Sequence, residues 1–146
     1  MSFASVFADH HRRCDDAFAR AEASAQKADW AAARQGFDAF AAALSAHLAS
    51  EEDTLFPAFE AATGMQGGPT SVMRAEHGQM RQLLDELRAA LDAKNADDFG
   101  GAAETLLVLM QQHNLKEEHM LYPMCDRALG GDGELLARVK AELAKA

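Results

Sequence analysis

With 146 residues, 49% of them apolar and only three Pro, the chain is the size of one domain, 1–146, able to bury a core without staples. Its 14 basic against 23 acidic residues leave a net charge of −9, which repels nucleic acid and anionic membrane surfaces and removes both from the expected partners. The opening "MSFASVFADHHRRCDD" has no basic stretch followed by an uninterrupted apolar one, and no later run reaches the roughly 18 apolar residues of a spanning helix, so a cytoplasmic protein is expected.

Ala and Leu are prominent and β-branched residues few, which favours helix at nearly every position. The first helix is expected over residues 2–26, with Phe7, His11, Cys14, Phe18 and Ala21 on one face. After "QKAD" a second should run from Asp29 to about residue 61, with a stripe of Phe37, Phe40, Leu44, His47, Glu51 and Leu55. "TGMQGGP" breaks the chain. A third helix then opens near Thr70 and continues to about Lys94, presenting Met73, His77, Met80, Leu84, Leu87 and Leu91. Asn95 serves as stop and new N-cap. The fourth helix, from about Asp97 to Leu129, should carry Leu106, Leu109, His113, Glu117, Met120 and Met124 inward, with irregularities at Gly100-Gly101 and before Pro123. Beyond "GGDG", a short fifth helix shows Leu135, Val139 and Leu143 on one side. Four long helices on short loops must pack as antiparallel neighbours, so the expected fold is all-α: an up-down-up-down four-helix bundle with a short C-terminal fifth helix. Cys14 and Cys125 lack CxxC spacing and read as reduced, buried small hydrophobes.

The core stripes contain polar side chains, and two of them repeat. "HLASEEDTLFP" begins at His47 and "HNLKEEHMLYP" at His113, with His, two Glu, Leu, an aromatic and Pro in the same register. An isolated HxxxE commonly marks an exposed i,i+4 pair worth only about 0.2–0.5 kcal/mol. Such pairing does not explain why both copies fall on apolar seams. Four His and two Glu inside one bundle would cost several kcal/mol per unpaired carboxylate, roughly, so a positive charge is expected between them. Residues four apart project from one helix face, so two HxxxE pairs plus single histidines from two more helices can surround a pair of ions. Imidazole and carboxylate without thiolate suit iron or manganese, whereas structural zinc favours Cys-rich sets of four. No Glu stands three residues before a His, so the Glu-x-x-His form of di-iron bundle is absent.

The order His, HxxxE, His, HxxxE, together with "EEDTLFP" and "EEHMLYP", resembles the hemerythrin family in its bacterial HHE cation-binding form, over residues about 5–129. Matched position by position, the resemblance implies His11, His47, Glu51, His77, His113 and Glu117 as iron ligands of a two-iron, oxo- or hydroxo-bridged centre, with manganese or zinc as substitutes. It implies a small diatomic partner such as O2, in storage, sensing or redox response. The alternatives are a redox enzyme turning over peroxide or nitric oxide, and an iron-homeostasis protein. A metal-free helical interaction module is a third reading. No acid, base or substrate pocket is legible, which favours binding over turnover.

Two departures from oxygen-carrying hemerythrins stand out: Met73 occupies the place of a second helix-three histidine, and Glu117 falls at i+4 from His113 where those proteins carry an Asp at longer spacing. Fewer protein ligands leave more positions for water or small molecules. His10 competes with His11, because the family's "DH" dipeptide matches Asp9-His10 while the apolar stripe matches His11; with His11 as the ligand, His10 would supply an outer contact or the missing ligand. Glu52 and Glu118 read as outer partners that hold a ligand imidazole by its other nitrogen, and His119 as a surface residue.

Overall fold

Ser2 opens the first helix with a reciprocal cap: its side chain accepts from the Ser5 N–H, and the Ser5 side chain takes up the Ser2 N–H. Asp29, Asn95 and Asp132 cap three further helices by accepting from the N–H groups of Ala32, Asp98 and Leu135. Each cap satisfies one of the donors that a helix start leaves unpaired. Gly64 ends a helix at φ +73°, a left-handed conformation that a side chain would strain.

The computed structural model describes residues 1–145, and every regular element among them is helical. The helices are α1 (Phe3–Gln26), α2 (Trp30–Ser50), α3 (Phe56–Thr63), α4 (Pro69–Asp92), α5 (Ala96–Lys116), α6 (Tyr122–Leu129) and α7 (Gly133–Leu143). α2 continues into α3, and α5 into α6, through five-residue π-helical turns at Glu51–Leu55 and Glu117–Leu121. α1 packs on α2, α4 on α5, and the square closes through α1 with α5 and α2 with α4. The result is the expected up-down-up-down bundle with a short C-terminal helix. Close approach of α1 and α2 depends on Gly36, where a Cβ would lie 3.0 Å from the Ala21 backbone.

The π turns correct the expected stripe of the fourth helix. Met120 is exposed and Met124 half-buried, while Leu121, Tyr122 and Cys125 face the core; upstream of the turn and independent of it, Met110 is buried and Leu109 only half-buried. The Phe56 N–H donates to the Glu51 carbonyl and the Tyr122 N–H to the Glu117 carbonyl, five residues back instead of four. The longer loop of chain rotates everything beyond it by about one position. Pro57 and Pro123 immediately follow; lacking an N–H and crowding the carbonyl four residues back, each disfavours a normal α turn there. The irregularity expected at Gly100-Gly101 is absent, and α5 runs through both residues.

Two apolar clusters fill the interior. One, toward the α1–α2 and α4–α5 connections, includes Phe18, Phe37, Phe40, Leu44, Leu87, Phe99 and Leu106. The other, at the opposite end, includes Phe3, Phe7, Phe56, Phe59, Met73, Tyr122, Val139 and Leu143. Asp126 of α6 accepts from the Phe3 and Ala4 N–H groups, and Glu142 of α7 accepts from the hydroxyls of Ser50 and Thr54, so the short helices are latched to the bundle. Both cysteines are free and buried, and burial pushes each thiol up to about 12.

Candidate metal centre

His11, His47, Glu51, His77, His113 and Glu117 are all buried, and the helices bring them together. Two groups of potential ligand atoms form, each with its atoms within 4.8 Å of one another: Glu51, His77, His113 and Glu117 in one, His11, His47 and Glu117 in the other. Glu117 belongs to both. Its Oε1 lies 3.1 Å from His11 Nε2 and 3.3 Å from His113 Nε2. Glu51 also reaches both sides, with Oε1 3.2 Å from His77 Nε2 and 3.5 Å from His47 Nε2.

The histidines are oriented from behind. Nδ1 of His77 lies 2.8 Å from Glu52, Nδ1 of His113 2.8 Å from Glu76, and Nδ1 of His11 2.7 Å from Glu118. Donation of the Nδ1 proton to a carboxylate leaves Nε2 as a lone pair aimed at the cluster, the arrangement common behind metal-bound imidazoles. Arg81 holds Glu52 with two hydrogen bonds of 2.9 and 2.8 Å, and Lys116 pairs with Glu76. Burial would raise both carboxyls, but the hydrogen bonds from Arg81 and His77, and from Lys116 and His113, outweigh it and hold them below the usual range. Of these partners, Glu76 was not foreseen; it adjoins His77 in sequence but serves His113.

His47 is supported differently. Its Nδ1 lies 2.8 Å from Nδ1 of His10, so His10 stands behind His47 while His11 faces the cluster. Burial, with the nearby Arg13 and His11 charges, pulls His10 down to about 4, so it is neutral and able to accept the His47 proton. His119 is exposed. Tyr122 enters the site without having been anticipated as part of it. Its hydroxyl donates toward Glu51 Oε2 at 2.7 Å and Glu117 Oε1 at 2.8 Å, and lies 3.3 Å from Nε2 of both His47 and His11.

The site fits a cation better than it fits itself. Buried side-chain atoms without a hydrogen-bond partner include Glu51 Oε1, His77 Nε2, His113 Nε2 and Glu117 Oε2. Buried polar atoms are rarely left so, and these four belong to one of the two ligand groups. Burial and the Glu117 charge push Glu51 well above the usual carboxyl range. Burial would raise Glu117 as well, but the close Glu51, His11 and His113 side chains outweigh it and hold it well below the usual range. Without a cation, the pair shares a proton because two adjacent carboxylates cannot both ionise.

These shifts set the acid stability of the metal-free protein. Burial pulls His47 and His77 below 6.5, as it does His10. The unfolded chain therefore takes up protons first, and stability intact above about pH 6.5 is lost as pH falls toward 4. Glu117 adds a loss in the same direction at lower pH, while Glu51 and His113, both raised, oppose it. Thermal melts of metal-free protein should show a falling midpoint between pH 6.5 and 4, and His10→Gln should flatten the fall.

The sequence profile of the Hemerythrin HHE cation binding domain matches residues 2–125. Among curated proteins, the chain is 38% identical over 99 residues to the iron-sulfur cluster repair protein YtfE of Musicola paradisiaca, covering 61% of this chain and 43% of that protein. It is 33% identical over 101 residues to YtfE of Salmonella typhimurium and 31% over 99 residues to that of Escherichia coli, with the same 61% and 43% coverage. The alignments thus span less than half the length of these relatives. No solved structure matches the chain. Among the described residues, no helix is long and apolar enough to cross a membrane. With its four-helix frame, its buried His/Glu cluster and a profile match over most of its length, the chain belongs to the hemerythrin HHE cation-binding family.

Proposed function

We infer that this chain holds a carboxylate-bridged di-iron centre that takes up a small diatomic ligand such as oxygen, in storage, sensing or redox response. His11, His47, Glu51, His77, His113 and Glu117 are its metal ligands, and manganese or zinc can substitute for iron. The observation that carries the reading is the convergence of buried His and Glu side chains on two overlapping groups that share Glu117, with four atoms among the residues of one group lacking a hydrogen-bond partner. Bound iron supplies coordination positions that the protein leaves open, and redox chemistry at them.

The chain's own residues do the rest. Glu52, Glu76, Glu118 and His10 fix the imidazole orientations, and the apolar clusters on either side exclude bulk water. A cavity of about 10 Å³ reaches the ligand layer between His11, Asp15, His47, Met80, His113 and Asn114. That is room for roughly one water-sized molecule, which favours a diatomic ligand over an organic substrate.

The relatives are named for iron-sulfur cluster repair, which favours a second reading in which the same centre serves iron handling; turnover of nitric oxide or peroxide is the enzyme form of that alternative. Iron-loaded protein titrated with nitric oxide under anaerobic conditions, then assayed with peroxide, separates the two. Stoichiometric binding without sustained consumption is expected. Continuous turnover would move the protein to the enzyme reading.

A further inference from the structure

The two ligand groups are unequal. The Glu51, His77, His113, Glu117 group offers four protein atoms, whereas the His11, His47, Glu117 group offers three. We propose that the Tyr122 hydroxyl oxygen completes the second group, as a seventh protein ligand on the ion held by His11 and His47. The inference rests on the di-iron reading above and assigns a residue to that centre.

Geometry places the phenol where such a ligand must stand. Its oxygen is 3.3 Å from His11 Nε2, 3.3 Å from His47 Nε2 and 2.8 Å from Glu117 Oε1, so it approaches every member of the three-atom group. The side chain is fully buried, and its ring stacks on Phe7 at 5.1 Å, which fixes the direction of the hydroxyl. The π turn makes this possible, because the five-residue bond between Glu117 and Tyr122 sets both on one face.

The repeat makes the asymmetry specific. Tyr122 aligns with Phe56, which follows the other π turn in the same way and stacks on His77 at 5.8 Å. The two copies therefore differ at this position by one hydroxyl, and the hydroxyl lies on the side that is one ligand short. A phenolate is a hard oxygen donor suited to ferric iron. On ligation the O–H bond breaks, the oxygen lone pair binds the ion and the proton leaves to solvent; a nearby metal charge reverses the local preference for the neutral phenol.

The chain has one tyrosine, so any tyrosinate signal belongs to Tyr122. The test reconstitutes the whole chain with ferrous iron, oxidises it with ferricyanide, measures iron per chain and records resonance Raman spectra with and without ring-deuterated tyrosine. The expected result is a visible phenolate-to-iron charge-transfer band with enhanced tyrosine ring modes that shift on deuteration. Tyr122→Phe should lose both while retaining iron, bound about 10–100-fold more weakly. Two irons per chain without tyrosine modes, or a band that survives Tyr122→Phe, would overturn the assignment and leave the di-iron reading intact. Failure of the wild type to take up iron would overturn both. If Tyr122→Phe does not fold, the deuterium shift in the wild type decides alone.

Discussion

Glu117→Ala is expected to bind less than one iron per chain where the wild type binds two, the largest functional effect of any single change. Glu117 is the one residue shared by both ligand groups; its Oε1 faces His11, His113 and Tyr122, and its Oε2 has no hydrogen-bond partner. Removing a terminal imidazole deprives one ion of one ligand, whereas removing Glu117 deprives both and leaves two cations without the carboxylate that neutralises them. Glu51→Ala should act in the same direction, because Glu51 lies between His77 and His47. In the metal-free protein Glu117→Ala removes a buried carboxylate but also takes the partner from His11, His113 and Tyr122, so some loss of stability is expected beside the loss of iron. Iron analysis after reconstitution, alongside denaturant melts of the metal-free protein, checks both halves. Retention of two irons by Glu117→Ala would show that the carboxylate does not bridge.

Phe40→Ala should leave iron stoichiometry intact and cost about 3–5 kcal/mol of metal-free stability. Phe40 is fully buried and meets Phe18 edge-on at 5.0 Å, in the apolar cluster away from Met73 and Tyr122. The energetic weight of the fold lies in such side chains. The ligand layer is a desolvated, partly unsatisfied belt that adds stability only once a cation fills it. Urea melts of the metal-free variant measure the cost. Iron binding should restore part of it by mass action, with iron stoichiometry unchanged in the folded fraction.

The difference between these two variants reflects what the sequence could and could not convey. Helix order, caps at Asn95 and Asp29 and the polar positions on apolar stripes were legible because each depends on local chemistry or on a period of three to four residues. His11, His47, Glu51, His77, His113 and Glu117 could be read together because the HxxxE repeat marks two helices and single core histidines mark the others. Tyr122 was not read as part of the site because an α-helical period places Met120 and Met124 inward. Only the extra residue of the π turn rotates Leu121, Tyr122 and Cys125 into the core. The proline one residue past each aromatic was the available signal. Glu76 was hidden for another reason: it supports a histidine on a different helix, 37 positions away, whereas His10 was legible as an outer contact but its partner His47 was not. Local patterning carries no information on such pairs.

Stoichiometric iron uptake tests the central claim most directly. Metal-stripped protein, titrated anaerobically with ferrous iron and freed of unbound metal, should saturate at two irons per chain. Saturation at one iron, or no retained iron, would contradict a centre in which Glu117 joins two ligand groups.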